Sequence, residues 1–187
     1  MKDKYSRRGF ISKTGATLAS AGTVMTLANM NTPAKAQEGT NSMMAGSEID
    51  PVEFGQSLSG LGINLLVTDV LKTVEFSEKV LLTETIMADK GFAILRRGDI
   101  VWMLHGDQTY HSNPLAGIVK GVEVRGQGIE LRLYELDPDE AEARAKENGY
   151  TMLSDSANKP HGLRECYILD PDGYCWVASR ALKDGEE

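Results

Sequence analysis

Four residues, Asp170-Pro171-Asp172-Gly173, constrain this chain more tightly than any other stretch of it. Pro171 presets φ for the second position of a type I turn, Asp170 can accept from backbone amides, and Gly173 supplies the positive φ that follows. The flanks, 165–169 and 174–179, are aromatic and aliphatic enough to be strands. The segment is expected to form a three-residue hairpin with a G1 bulge. In that register Asp170 faces Tyr174, Leu169 pairs with Cys175, and Cys166 pairs with Ala178. The two cysteines then point to opposite sheet faces, which a disulfide cannot span. A two-residue turn would shift the register by one and remove that argument.

Upstream, the chain reads as two similar halves. In the first, 63–67 is a strand, and Asp69 caps a helix running to about Val80 with Val70, Val74 and Leu81 on one side. Strands follow at 82–87, 91–96 and 100–105, then a looser stretch, 106–128, with Asn113-Pro114 and several glycines. In the second half, 129–134 alternates with period two. Asp137-Pro138-Asp139-Glu140 is a compact helix start, and Gly149 stops that helix after Lys146. A strand near 150–153 and the two hairpin strands complete the order. Alternation places Ile63, Leu65, Val67, Trp102, Leu104, Leu131, Leu133, Cys166, Ile168 and Trp176 on one face. The other face carries Asn64, Leu66, Met103, His105, Glu130, Arg132, Tyr134, Glu165, Tyr167, Cys175 and Val177. The alternative reading is another α+β domain, for instance a ferredoxin-like pair.

The N-terminus reads as an address. Ser6-Arg7-Arg8-Gly9-Phe10-Ile11-Ser12 is a twin-arginine pattern ahead of a small-residue, mildly apolar stretch, and Ala34-Lys35-Ala36 offers a cleavage site. The expected location is the periplasm, by the twin-arginine route. Residues 1–36 hold six of the 20 basic residues and one of the 27 acidic ones, so processing takes the formal net charge from −7 to −12. Such a surface repels nucleic acid and anionic lipid. Residues from 37 to about 55 are rich in Ser, Gly, Glu, Met and Asn without periodicity and read as a tether.

The run Gly162-Leu163-Arg164-Glu165-Cys166-Tyr167-Ile168-Leu169, leading into Asp170-Pro171-Asp172-Gly173-Tyr174, resembles the last hairpin of the vicinal oxygen chelate superfamily. That group includes glyoxalase I, extradiol dioxygenases, fosfomycin-resistance enzymes and bleomycin-resistance proteins. The Gly-x-Arg-Glu segment looks most like the bleomycin-resistance branch. The resemblance implies an α+β fold in which two βαβββ modules form a cup-shaped mixed sheet with helices outside. The expected plan is a signal peptide over 1–36, a flexible linker over 37–58, the domain over 59–182 and a tail over 183–187.

Metal-dependent members draw four ligands from the first and last strands of each half, and the matching positions here are Gly62, Met103, Glu130 and Val177. Three of the four cannot donate a hard oxygen or a nitrogen, so no metal and no cofactor is expected. A relocated site at His105 and Glu130 stays open beside the alternative of an ordinary hydrogen-bonded pair. The chain holds no nucleophile elbow, phosphate loop, Cys-x-x-Cys or His-Glu-x-x-His. Ser154, Asp155 and Ser156 read as ordinary loop chemistry.

The expectation is therefore an exported, metal-free binder of a small aromatic or cationic molecule. Its candidate ligand-binding residues are Asn64, Met103, His105, Glu130, Arg132, Tyr134, Glu165, Tyr167 and Val177. The expected partners are that ligand and a second copy in a homodimer, with no nucleic acid and, after processing, no membrane. Two alternatives stand beside it. One is a lyase, isomerase or dioxygenase of the glyoxalase kind, using a relocated metal or a Glu130/His105 acid–base pair. The other is a dimeric interaction module whose cup its own side chains fill.

Overall fold

An aspartate starts each of the two long helices. Asp69 accepts from the backbone N–H of Lys72, and Asp137 accepts from those of Asp139 and Glu140, satisfying amides that a helix N-terminus leaves unpaired. The protein is described by a computed structural model covering residues 50–186. The expected signal peptide and the start of the expected linker lie outside the described residues.

Chain order is α1 (Pro51–Ser57), β1 (Asn64–Val67), α2 (Val70–Leu81), β2 (Glu84–Ala88), β3 (Phe92–Arg97), β4 (Ile100–Gly106), α3 (Pro114–Val119), β5 (Glu130–Tyr134), α4 (Pro138–Glu147), β6 (Thr151–Asn158), β7 (Leu163–Leu169) and β8 (Cys175–Ala181). The strands form two four-stranded mixed sheets, ordered β1-β4-β3-β2 and β5-β8-β7-β6. This is the expected pair of βαβββ modules, and their registers coincide. Asn64 and Arg132 each lie five residues before the helix cap; Asn64 pairs with Met103 as Arg132 pairs with Val177. On the next strand, Ile94 and Tyr167 occupy matching places, as do Phe92 and Glu165.

All ten residues expected on the apolar face lie in or against one core. The two indoles meet there, with Trp102 and Trp176 ring centroids 5.3 Å apart. From α2, Val70, Val74, Phe76, Val80 and Leu81 are buried; α4 contributes the small residues Ala141 and Ala145. Arg144 of α4 donates to the Val80 carbonyl through Nε (3.2 Å) and Nη2 (3.1 Å), meeting an acceptor that the end of α2 leaves open. Among the described residues, no helix is long and apolar enough to cross a membrane.

The hairpin has the expected register: Asp170 N–H donates to the Tyr174 carbonyl at 3.0 Å, Leu169 pairs with Cys175, and Cys166 pairs with Ala178. Asp170 Oδ1 accepts from the amides of Asp172 (3.0 Å) and Tyr174 (2.9 Å), and Oδ2 accepts from the Trp176 indole (3.2 Å). Burial pushes this carboxyl up to about 6, against the pull of those three donors. Gly173 sits at φ +79°, and a Cβ there would come within 2.8 Å of the Val124 backbone. Cys166 and Cys175 are free and buried, and burial pushes the Cys166 thiol up to about 11.

Four stretches differ from the sequence reading. Within 37–58, residues 51–57 form α1, because Asp50 caps it and Pro51 suits its first turn. Within 106–128, Asn113 caps α3 in the same way. Ser154-Asp155-Ser156 belongs to β6 rather than a loop; two register shifts in that edge strand let the Ser156 amide reach Glu142 of α4 at 2.6 Å. The tail is tied back, with Arg180 donating to both carboxylate oxygens of Glu186 at 2.7 and 2.9 Å.

Candidate functional site

On the second sheet, alternation turns Glu130, Arg132 and Tyr134 of β5 and Glu165 and Tyr167 of β7 to the face away from the core. Glu165 is fully buried there (0 % exposed). Arg132 pairs with it and also donates to Glu130 Oε2 at 2.9 Å. The Tyr167 hydroxyl donates to Glu165 Oε2 at 2.9 Å, and His161 Nε2 lies 3.1 Å from Oε1. Burial alone would raise the Glu165 pKa. Hydrogen bonds from His161 and Tyr167, with the Arg132 charge, outweigh it and hold the carboxyl below its usual range. Burial likewise opposes the Arg132 charge, yet hydrogen bonding to Glu130 and Tyr167 keeps its pKa above the ordinary arginine value. Two cations lie over rings: Arg132 is 5.9 Å from the Tyr134 centroid, and Lys159 Nζ is 5.2 Å from that of Tyr167.

Five of the six second-half candidates therefore form one group. The remaining four do not join it. Asn64 donates to the Tyr110 hydroxyl at 3.2 Å. The His105 ring lies between Phe92 and Tyr110, at centroid distances of 4.7 and 5.0 Å, and its Nδ1 is 3.4 Å from Thr109 Oγ1. Burial lowers the His105 pKa. Met103 lines an apolar groove of about 180 Å³ beneath α1, facing Phe54, Leu58, Met87, Phe92 and Ile94. Val177 is paired in register with both Arg132 and Tyr167 but is fully buried and makes no polar contact with them.

His105 is held in the first-half aromatic cluster, while Glu130 engages Arg132. Among the described residues, no three His, Cys, Asp or Glu side chains are grouped to hold a metal ion. Of the four positions that match the superfamily's ligand set, Gly62 lies before β1, in a groove it shares with Met103 and Ile100.

Sequence reasoning missed His161, Lys159 and Arg125. The first two lie in the bend before β7, where strand alternation gives no direction; Gly162, at φ +82°, forms the bend. Arg125 lies in the stretch between the halves, its side chain only 3 % exposed. It donates to Asp107 Oδ1 and Oδ2 at 2.6 and 2.7 Å and to the Leu66 carbonyl at 3.1 Å. Its backbone N–H donates to the Asp172 carbonyl at 2.9 Å. Asp172 Oδ1 in turn accepts from the Thr68 amide, and the Tyr174 hydroxyl donates to Leu66. This clamp fastens the second-half hairpin to the end of β1.

Paired βαβββ modules, each a four-stranded mixed sheet with its helix packed on a shared core, define the class of fold: that of the glyoxalase, bleomycin-resistance and dioxygenase proteins. Solved structures agree. A glyoxalase/bleomycin resistance protein/dioxygenase from Nocardioides superposes with a TM-score of 0.51 at 21% identity, over 72% of this chain and 94% of the other. A glyoxalase/bleomycin resistance protein/dioxygenase family enzyme from Burkholderia phytofirmans PsJN gives 0.53 at 18%, over 65% and 97%. A glyoxalase-related enzyme from Fulvimarina pelagi gives 0.52 at 19%, over 65% and 87%. No family model matches the chain, and no curated protein matches it.

Proposed function

We propose that this is an exported protein of the bleomycin-resistance type that binds a small aromatic or cationic molecule on the inner face of its second half, without a metal. The observation that carries the reading is the buried Glu165 carboxylate, held by Arg132, Tyr167 and His161. A buried ion pair seldom stabilises a fold more than apolar side chains of similar volume would. At the matching place the first half has Phe92, so the fold does not require charge there. Beside the buried pair, Glu130 and Tyr134 stand exposed, offering a carboxylate and a ring to a planar cation. A second reading, acid–base catalysis, rests on His161, whose exposed ring is oriented by a buried carboxylate.

A native mass spectrum of protein purified from the periplasm is the test. The expected result is a chain beginning near Gln37, a homodimer, a bound small molecule and no stoichiometric metal. Glu130→Gln and Tyr134→Ala should each weaken binding of cationic aromatics in a calorimetric titration while leaving the melting temperature nearly unchanged. Large losses of melting temperature without binding would favour the interaction module. A tight metal ion, or turnover abolished by His161→Gln, would favour the enzyme.

A further inference from the structure

The coincident registers make two junctions between the halves directly comparable. Where Met103 matches Val177, Ile100 matches Tyr174 and Gly98 matches Asp172; where Asn64 matches Arg132, Leu66 matches Tyr134. At one junction the hairpin before β8 meets the end of β1, closed by Asp172, Tyr174 and the Arg125 clamp. At the other, the hairpin before β4 meets the end of β5. Gly98 has no side chain to reach across, and Ile100 has no hydroxyl. A cavity of about 510 Å³ lies there, lined by Arg97, Asp99, Ile100, Leu133, Tyr134 and Glu135. Arg97 Nη2 spans it to the Glu135 carbonyl at 3.0 Å.

The side chains around this cavity are unlike their counterparts. Leu66 is buried, whereas Tyr134 is 58 % exposed. Of the seven arginines among the described residues, six have a carboxylate within ion-pair distance: Arg96, Arg125, Arg132, Arg144, Arg164 and Arg180. Arg97 is the exception. In a chain with 27 acidic residues against 20 basic ones, an arginine left without a carboxylate at the wall of a cavity is a ready partner for a carboxylate from outside. Ile100 and Tyr134 supply an apolar wall and a flat ring beside it, and the volume suits a small ligand.

We infer that this open junction is a second binding site, adjoining the Arg132–Glu165 network through Tyr134, for a small carboxylate with a flat apolar body. The carboxylate engages the Arg97 guanidinium, and the ring lies against Tyr134 and Ile100. Asp99 and Glu135 at the cavity wall disfavour ligands with a second negative charge and tolerate an ammonium group. The ligand class therefore runs from aryl-alkanoates to aromatic amino acids.

The test is titration of the purified protein with phenylacetate, phenylalanine and benzylammonium, followed by calorimetry and amide chemical shifts. Phenylacetate should bind and perturb the amides of Gly98, Asp99 and Glu135. Arg97→Gln should weaken it about tenfold or more, as expected for loss of a charge-assisted hydrogen bond. Ile100→Trp, which fills the cavity, should abolish binding, and melting curves of both variants would show that they fold. Glu130→Gln should leave phenylacetate binding unchanged while weakening benzylammonium, so the charged partners, Arg97 and Glu130, tell the two sites apart although both use Tyr134. Stronger binding of phenylalanine than of phenylacetate would assign the acidic side chains to an ammonium group; the reverse order would restrict the class to simple anions. No binding of either carboxylate at millimolar concentration, or equal affinity in Arg97→Gln, would overturn the proposal.

Discussion

The two halves share a backbone and differ in what that backbone presents. In the first, the inner face carries Phe92, Ile94 and Met103 beneath α1; in the second, matching places carry Glu165, Tyr167 and Val177, with Arg132 alongside. The outer faces did not diverge in this way, because Leu65, Val67, Trp102, Leu131, Leu133 and Trp176 share one core. Any change there is felt across both halves through close packing. The inner faces have no common filling, so each half is free to specialise. The junctions show the same divergence: one is closed by an arginine clamp and the other is open.

The largest expected effect comes from breaking the closed junction. Arg125→Met leaves Asp172 buried without its guanidinium partner and removes the link to Leu66. It should cost about 3 kcal/mol, since loss of one member of a buried pair leaves an uncompensated charge. Arg97→Ala, at the open junction, should cost well under about 1 kcal/mol. Urea unfolding of both variants measures the difference, and equal losses would show that the junctions are not distinct in kind.

A smaller effect is expected from the second-half network, and it depends on pH. The Glu165 pKa is lowered in the folded protein relative to a free carboxyl, about 4.3. Its contribution to stability is therefore complete above that pH and is lost as pH falls through the folded value. Glu165→Gln should lose part of the wild-type slope of stability against pH below about 4, measured by thermal melts across an acid series. An unchanged slope would mean that Arg132 is satisfied by Glu130 alone.

The smallest effect should come from α1. Phe54→Ala removes a half-buried ring from the groove over Met103 and Ile94 and should cost about 1 kcal/mol, a fraction of what burying a whole side chain contributes. A loss as large as that of Arg125→Met would make α1 an integral part of the first half.

Much of this architecture was legible before any coordinates. The Asp69 and Asp137 caps, the Asp-Pro-Asp-Gly hairpin and the period-two strands are short-range features, each determined by chemistry within a few residues. The apolar face followed because alternation is a property of the strand itself, and the grouping of Glu130, Arg132, Tyr134, Glu165 and Tyr167 followed from the same rule. His161 and Lys159 escaped it because a bend has no period.

What the sequence determined by itself, then, is which residues begin helices, which turn, and which side of a strand is dry. Tertiary structure decided the rest. Arg125 reaches Asp107, Leu66 and Asp172 only once the two halves have come together. His105 is held by Phe92 and Tyr110 instead of meeting Glu130. Arg97 and Tyr134 face a common cavity although 37 residues separate them. Such pairings depend on where two rigid sheets come to rest against a shared core, and no local rule of spacing or periodicity carries that information.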